Sequence, residues 1–186
     1  MSDRASFPWL VFATLSTLVL TVLANEIWAH PHHHVDQQAQ LTIGTDEVRV
    51  VLRIVPSIDE GAAIFDAIDA DRDGTVSKSE ATAFAAELVA AVELRFDGAL
   101  EAFGEPSVSV PERDLAARGG GVIEVGATAK HPLGQGDHRI DLVVTDRRFA
   151  PDWFVQPFYT RPLTESTSSR RVERGDDGGV TVLLRR

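Results

Sequence analysis

Alternation at period two dominates the chain from Ala39 onward. Ala39, Leu41 and Ile43 alternate with polar residues, and Gly44, Thr45 and Asp46 supply a turn. Val48, Val50, Leu52 and Ile54 then alternate with Arg49, Val51, Arg53 and Val55. Apolar residues at every second position fit a half-buried strand, so this stretch predicts a β-hairpin. At Pro56 the period changes. Ser57 with Glu60 three residues later forms a capping-box pattern, and Ile64, Phe65 and Ile68 give the apolar face of a short helix. A second helix is predicted from about Ser79 to Val92, because Ala81, Phe84, Ala85 and Leu88 recur at helical spacing.

The remaining pattern returns to strands. Leu94 to Phe96 and Leu100 to Phe103 flank "DGA", a hairpin signal. Further strands are predicted at "SVSV", "GVIEVGATA", "HRIDLVVT", "DWFVQPFY", "RRVER" and "VTVLL", the last two joined by the turn "GDDGG". "TESTSSRR" is expected to be a polar loop. Eight or nine short strands with turns between them predict a mainly β chain, an antiparallel β-sandwich of Ig-like type. The two helices then form an insertion at about residues 57–92.

The first 29 residues have a different character. Arg4 precedes an apolar run from Phe7 to Ala24, which ends near small residues at Val22 and Ala24 or Ile27 and Ala29. This is the pattern of a secretory signal peptide. It implies an exported domain over residues 30–186, periplasmic or secreted. The alternative is an N-terminal membrane anchor facing outside, since the run is about long enough to span a bilayer. The chain contains no cysteine, so an exported domain must rely on its core, with a metal as the other means of support. The formal net charge of -10 argues against a nucleic-acid partner and suits cations.

The densest chemistry lies in "DADRDGTVSKSE", Asp69 to Glu80. A hard cation such as Ca2+ takes six to eight oxygens, and a loop with acids at alternate positions can wrap it. Asp69, Asp71 and Asp73 hold the first, third and fifth places, with Gly74 sixth, where the chain must turn sharply and a side chain is expected to obstruct. Thr75 would offer its backbone carbonyl, Ser77 would act through a water, and Glu80 would close the site as a bidentate ligand. The pattern D-x-[DN]-x-[DN]-G-x5-E is complete, and helices are predicted on both sides, so the motif is that of an EF-hand. Ser77 and Glu80 also form a second capping box, at the start of the second helix. No second such loop occurs, so a sensor built on paired hands is not expected. Val76, apolar at the eighth place, is expected to meet something other than a partner hand.

Taken in order, "AHPHHH", "LTIGTDEVRVVLRI", "FDAIDADRDGTVSKSE" and "LRFDGALEAF" resemble the extracytoplasmic N-terminal domain of nickel/cobalt transporter-like membrane proteins. The resemblance covers about His30 to Phe103. It implies a role beside a membrane metal transporter, although no further membrane helices follow as far as Arg186. His30, His32, His33 and His34 are candidate ligands for nickel, cobalt, copper or zinc. The other reading of the same residues is a solvated N-terminus. His131 and His138 flank the predicted loop "PLGQGD" and are placed where they could approach each other. Nucleophile motifs, phosphate-binding loops and the H-E-x-x-H motif are all absent, so neither an enzyme nor a small-molecule substrate is expected. Two functions follow from the sequence: a calcium-binding exported domain with a structural or interaction role, or an accessory nickel/cobalt-binding protein.

Overall fold

The computed structural model describes residues 34–186, which form ten strands and four helices. The strands are β1 Asp36–Ile43, β2 Glu47–Val55, β3 Val92–Phe96, β4 Ala99–Glu101, β5 Ser107–Ser109, β6 Ile123–Lys130, β7 Asp137–Val144, β8 Phe154–Tyr159, β9 Ser169–Arg174 and β10 Val180–Arg185. The helices are α1 Gly61–Ile68, α2 Lys78–Ala90, α3 Arg113–Ala116 and α4 Arg161–Ser166. Two five-stranded sheets result, in the orders β5-β6-β2-β1-β8 and β4-β3-β7-β10-β9. The chain is mainly β and mostly antiparallel, an arrangement consistent with a β-sandwich.

The period-two pattern places one face of the longer strands in the core, whereas β4, β5 and β9 bury no residue fully. Leu41 pairs with Val50 and Ala39 with Leu52 across the first hairpin, and all four are fully buried. Val125 from β6 and Val155 from β8 join them from the same sheet. Leu94, Phe96, Ile140, Leu142, Val180 and Val182 come from the other sheet. Ile64, Ile68, Phe84, Ala85 and Leu88 of the first two helices belong to this same apolar cluster. The connection from β2 to β3 crosses between the sheets and carries both helices, with α2 against β3, β5 and β6.

Several expectations are corrected. The sheets are not wholly antiparallel, because β8 runs parallel to β1, pairing Ala39 with Val155 and Ile43 with Tyr159. The chain leaves β7 in the second sheet and returns to the first beside β1, whose outer edge β2 leaves open. The stretch expected as a polar loop begins inside α4. Pro162 lies in the first turn of that helix and Leu163 is fully buried, which anchors a segment otherwise polar. The first capping box is only half formed. Ser57 Oγ accepts from Glu60 N at 3.1 Å, but the helix proper starts one residue later, at Gly61. That glycine is required by packing: a Cβ there would lie 1.9 Å from the Ala116 carbonyl oxygen of α3. Among the described residues no helix is long and apolar enough to cross a membrane. The segment expected as a signal peptide or anchor, residues 1–29, lies outside them.

Candidate metal site

Helix α1 ends where Asp69 N donates to Phe65 O at 3.0 Å, and α2 begins after Ser77. The loop between them is shaped by its own carboxylates. Asp69 is buried, 2% exposed, and its two oxygens accept from Asp73 N at 3.2 Å and Gly74 N at 2.9 Å. Asp71 Oδ1 also accepts from Asp73 N, at 3.1 Å. Asp73 Oδ1 accepts from the backbone N and the hydroxyl of Thr75, at 2.8 and 2.7 Å. Carboxylate oxygens of Asp69, Asp71 and Asp73 thereby come within 4.8 Å of one another, the one group among the described residues with the geometry to hold a metal ion.

The glycine at the sixth place is needed for a reason other than the one expected. A Cβ at Gly74 would meet nothing within 4 Å, so no side chain is obstructed. The backbone there has φ 89°, the left-handed region that L residues avoid. Arg72, two residues earlier, adopts φ 61° without being glycine. The loop therefore holds two positive-φ turns within three residues, which folds alternate carboxylates toward one point.

Glu80 closes the loop from the other end. Its Oε2 accepts from Ser77 N at 2.8 Å while Ser77 Oγ accepts from Glu80 N at 3.3 Å, so the second capping box is complete. Its Oε1 accepts from Asp71 N at 3.1 Å, tying the third residue of the loop to the twelfth. Val76 is half-buried and packs on the apolar cluster that the helices share with the sheets.

Charge is unevenly shared. The Ser77 backbone N–H, the Ser77 hydroxyl and the Asp71 N–H hold the Glu80 carboxyl down to about 2. At Asp71 the Asp73 N–H works to lower the value, but partial desolvation and the charges of Asp73, Glu80 and Asp69 prevail and raise it above the ordinary 3.8. Acid is therefore expected to act in two stages. Asp71 takes its proton first, at a pH above 3.8, and a protonated carboxyl weakens any cation site. The contribution of Glu80 to stability is full above 4.5 and is lost as the pH falls toward 2, because its folded value lies below its unfolded one. Carboxyl-carbon NMR titration checks the order, and Glu80 titrating at higher pH than Asp71 would contradict it.

The histidines are less concentrated. His30, His32 and His33 lie outside the described residues, and His34 is exposed in a bend. His131 and His138 each keep to a separate carboxylate. The His131 ring stacks on Phe96 at 3.9 Å, with Nδ1 2.9 Å from Glu101 Oε1. In His138, Nδ1 is 3.1 Å from Asp97 Oδ2 and Nε2 is 3.2 Å from Gly134 O. Asp97 is the residue the sequence reading did not single out. It sits in the tight β3–β4 turn at φ 49° and accepts from Arg139 N at 2.7 Å. Burial opposes its ionisation, but that N–H and His138 outweigh it and hold the carboxyl below its usual range. The "DG" dipeptide signalled the turn; the partners of Asp97 lie 41 and 42 residues away and left no local sign.

No protein-family model matches this chain, and no curated protein is significantly similar to it.

Proposed function

We propose that this chain is an exported calcium-binding protein with one EF-hand, inserted into an Ig-like sandwich and serving a structural or interaction role. The observation that carries the reading is the convergence of Asp69, Asp71 and Asp73 in a twelve-residue loop between two helices. Those three carboxylates, the Thr75 carbonyl, Ser77 through a water and Glu80 would hold the ion. All the donors are oxygens, the set that suits a hard cation of flexible coordination. Bound calcium would neutralise the repulsion that raises Asp71 and would join the end of α1 to the start of α2. The two oxygens of Glu80, of which Oε2 caps α2 and Oε1 accepts from Asp71 N, are the same two that would close on the ion. The switch of sheets between β2 and β3, where the hand sits, supports an Ig-like assignment by architecture alone.

The test is thermal unfolding in calcium and in chelator. Extracellular calcium modules bind at about 10⁻⁴ to 10⁻³ M, and one hand without a partner belongs in that range. At a concentration a hundredfold above Kd the linkage gain is about 2.7 kcal/mol. For a domain of this size that raises Tm by roughly 5–10 °C. Calorimetry should give one calcium per chain. Coincident melting curves would refute the proposal.

A further inference from the structure

Four strands form the outer edges of the two sheets, and three of them are closed to further pairing. β4 and β5 are three residues long. β8 contains Pro157, and the Arg174 guanidinium donates to its Val155 carbonyl at 2.7 Å. β9 has six residues, no proline, and no residue more than half-buried. The bond from Gly175 N to Gly179 O, 3.0 Å, marks a directly bonded pair at the end of the β9–β10 ladder. Backbone groups alternate sides along a strand, so Glu173, Arg171 and Ser169 address β10. Arg174, Val172 and Arg170 then turn their N–H and C=O groups outward.

Those three residues also share a side-chain face, opposite Val180, Val182 and Leu184 on β10. Arg170 lies over the Tyr159 ring at 4.6 Å and Arg174 over the Phe154 ring at 4.8 Å. Between them Val172 is 41% exposed, and Phe154 and Phe158 are exposed nearby on β8. Among the described residues neither arginine has a carboxylate at ion-pair distance, whereas Arg171, Arg161, Arg139 and Arg185 each pair with one. Most of the acidity lies elsewhere: residues 34–130 hold 18 acids against 8 bases, residues 131–186 hold 8 against 9. Charge on an edge strand can serve simply to block pairing. Here it blocks one kind of pairing in particular. Two copies of β9 set antiparallel about Val172 would place Arg170 opposite Arg174, like charge against like. A strand with acids at those two places meets the opposite condition.

We propose that β9 receives an extended acidic segment of a partner protein as a sixth strand of the second sheet. The segment has the pattern acid-x-apolar-x-acid. Its acids stand across from Arg170 and Arg174, its apolar residue across from Val172, and the outward backbone groups of β9 supply the ladder. The stacked rings fix both guanidinium groups before binding, which reduces the ordering cost. This inference does not depend on calcium.

The probe is a fluorescein-labelled peptide Thr-Glu-Thr-Val-Thr-Glu-Thr, titrated by anisotropy against the full exported chain at low salt. Saturable one-to-one binding is expected, with affinity falling as salt rises. The same peptide with lysine for glutamate should bind about tenfold more weakly or not at all. Val172→Pro removes one outward N–H without touching the β10 ladder and should weaken binding at least about tenfold. Arg170→Gln should weaken it several-fold, and Arg161→Gln should not. Melting curves close to that of the unaltered chain show that the variants are folded. Equal binding of the lysine peptide, undiminished binding by Val172→Pro, or no binding to the unaltered chain would each overturn the proposal. A homodimer in sedimentation that Val172→Pro abolishes would overturn it too, since the edge would then belong to a second copy.

Discussion

Glu80→Gln is expected to reduce calcium affinity at least about a hundredfold, as read by calorimetry. The substitution keeps the size of the side chain and removes one full negative charge. It also removes the symmetric pair of oxygens that would close the loop. Coulomb attraction to a doubly charged ion falls with each ligand charge lost, and it is large at contact distance in a partly enclosed site. In chelator the same variant should remain folded, because the glutamine carbonyl can still accept one of the bonds from Ser77 N and Asp71 N. Affinity and fold are thus separable at this residue. Asp69→Asn should come close in its effect on calcium, since Asp69 is the buried carboxylate that two loop N–H groups address. Ser77→Ala should be mild for calcium, because water can fill the place. Unchanged calcium binding by Glu80→Gln would remove Glu80 from the ligand set.

Phe96→Ala should cost about 3–5 kcal/mol of stability, the range for truncating a buried aromatic. Phe96 is 1% exposed and lies where β3 meets both β4 and β7, paired with Ala99 and Ile140. Its loss leaves a cavity in the second sheet and takes the stacking partner from His131, whose Nδ1 meets Glu101. For a domain of this size the fall in Tm is roughly 6–20 °C. Leu100→Ala, one strand away but 63% exposed, should change stability by no more than about 0.5 kcal/mol. Equal melting temperatures for the two variants would contradict the core assigned here.

The features legible in the sequence are those encoded locally. The β1–β2 hairpin has its turn and its period written in one continuous stretch, and its strands formed where the pattern put them. The acidic loop is likewise contiguous: all three aspartates and the glutamate that ties the loop ends together lie within twelve residues. Helix α2 showed its spacing over several turns, and its bounds shifted by only one or two residues. The features that escaped have other causes. The α4 segment is too short for a periodic signal and buries only Leu163, so its polar composition dominated. The α3 turn has four residues and is placed by contact with Gly61. Parallel pairing of β8 with β1 depends on where a long connection returns the chain, which period-two patterning does not specify. Gly74 was marked by its position, but conformation explains it and space does not.

The β1–β8 pairing also bears on the order in which the chain can fold. Gln38 is joined to Phe154, and the Gln37 side chain donates to Ala150 O and Asp152 O, spanning separations of 113 and 115 residues. Closing loops of that length costs entropy before any contact repays it, so such pairings slow folding. The β1–β2 hairpin and the helix pair need only neighbours in sequence and can form before the rest of the chain is in place. β1 must then wait, with one edge bare, until β8 from the last quarter of the chain reaches it. Until β8 arrives, the eight residues of β1 have no partner along that edge, the kind of unpaired strand margin that invites misassociation.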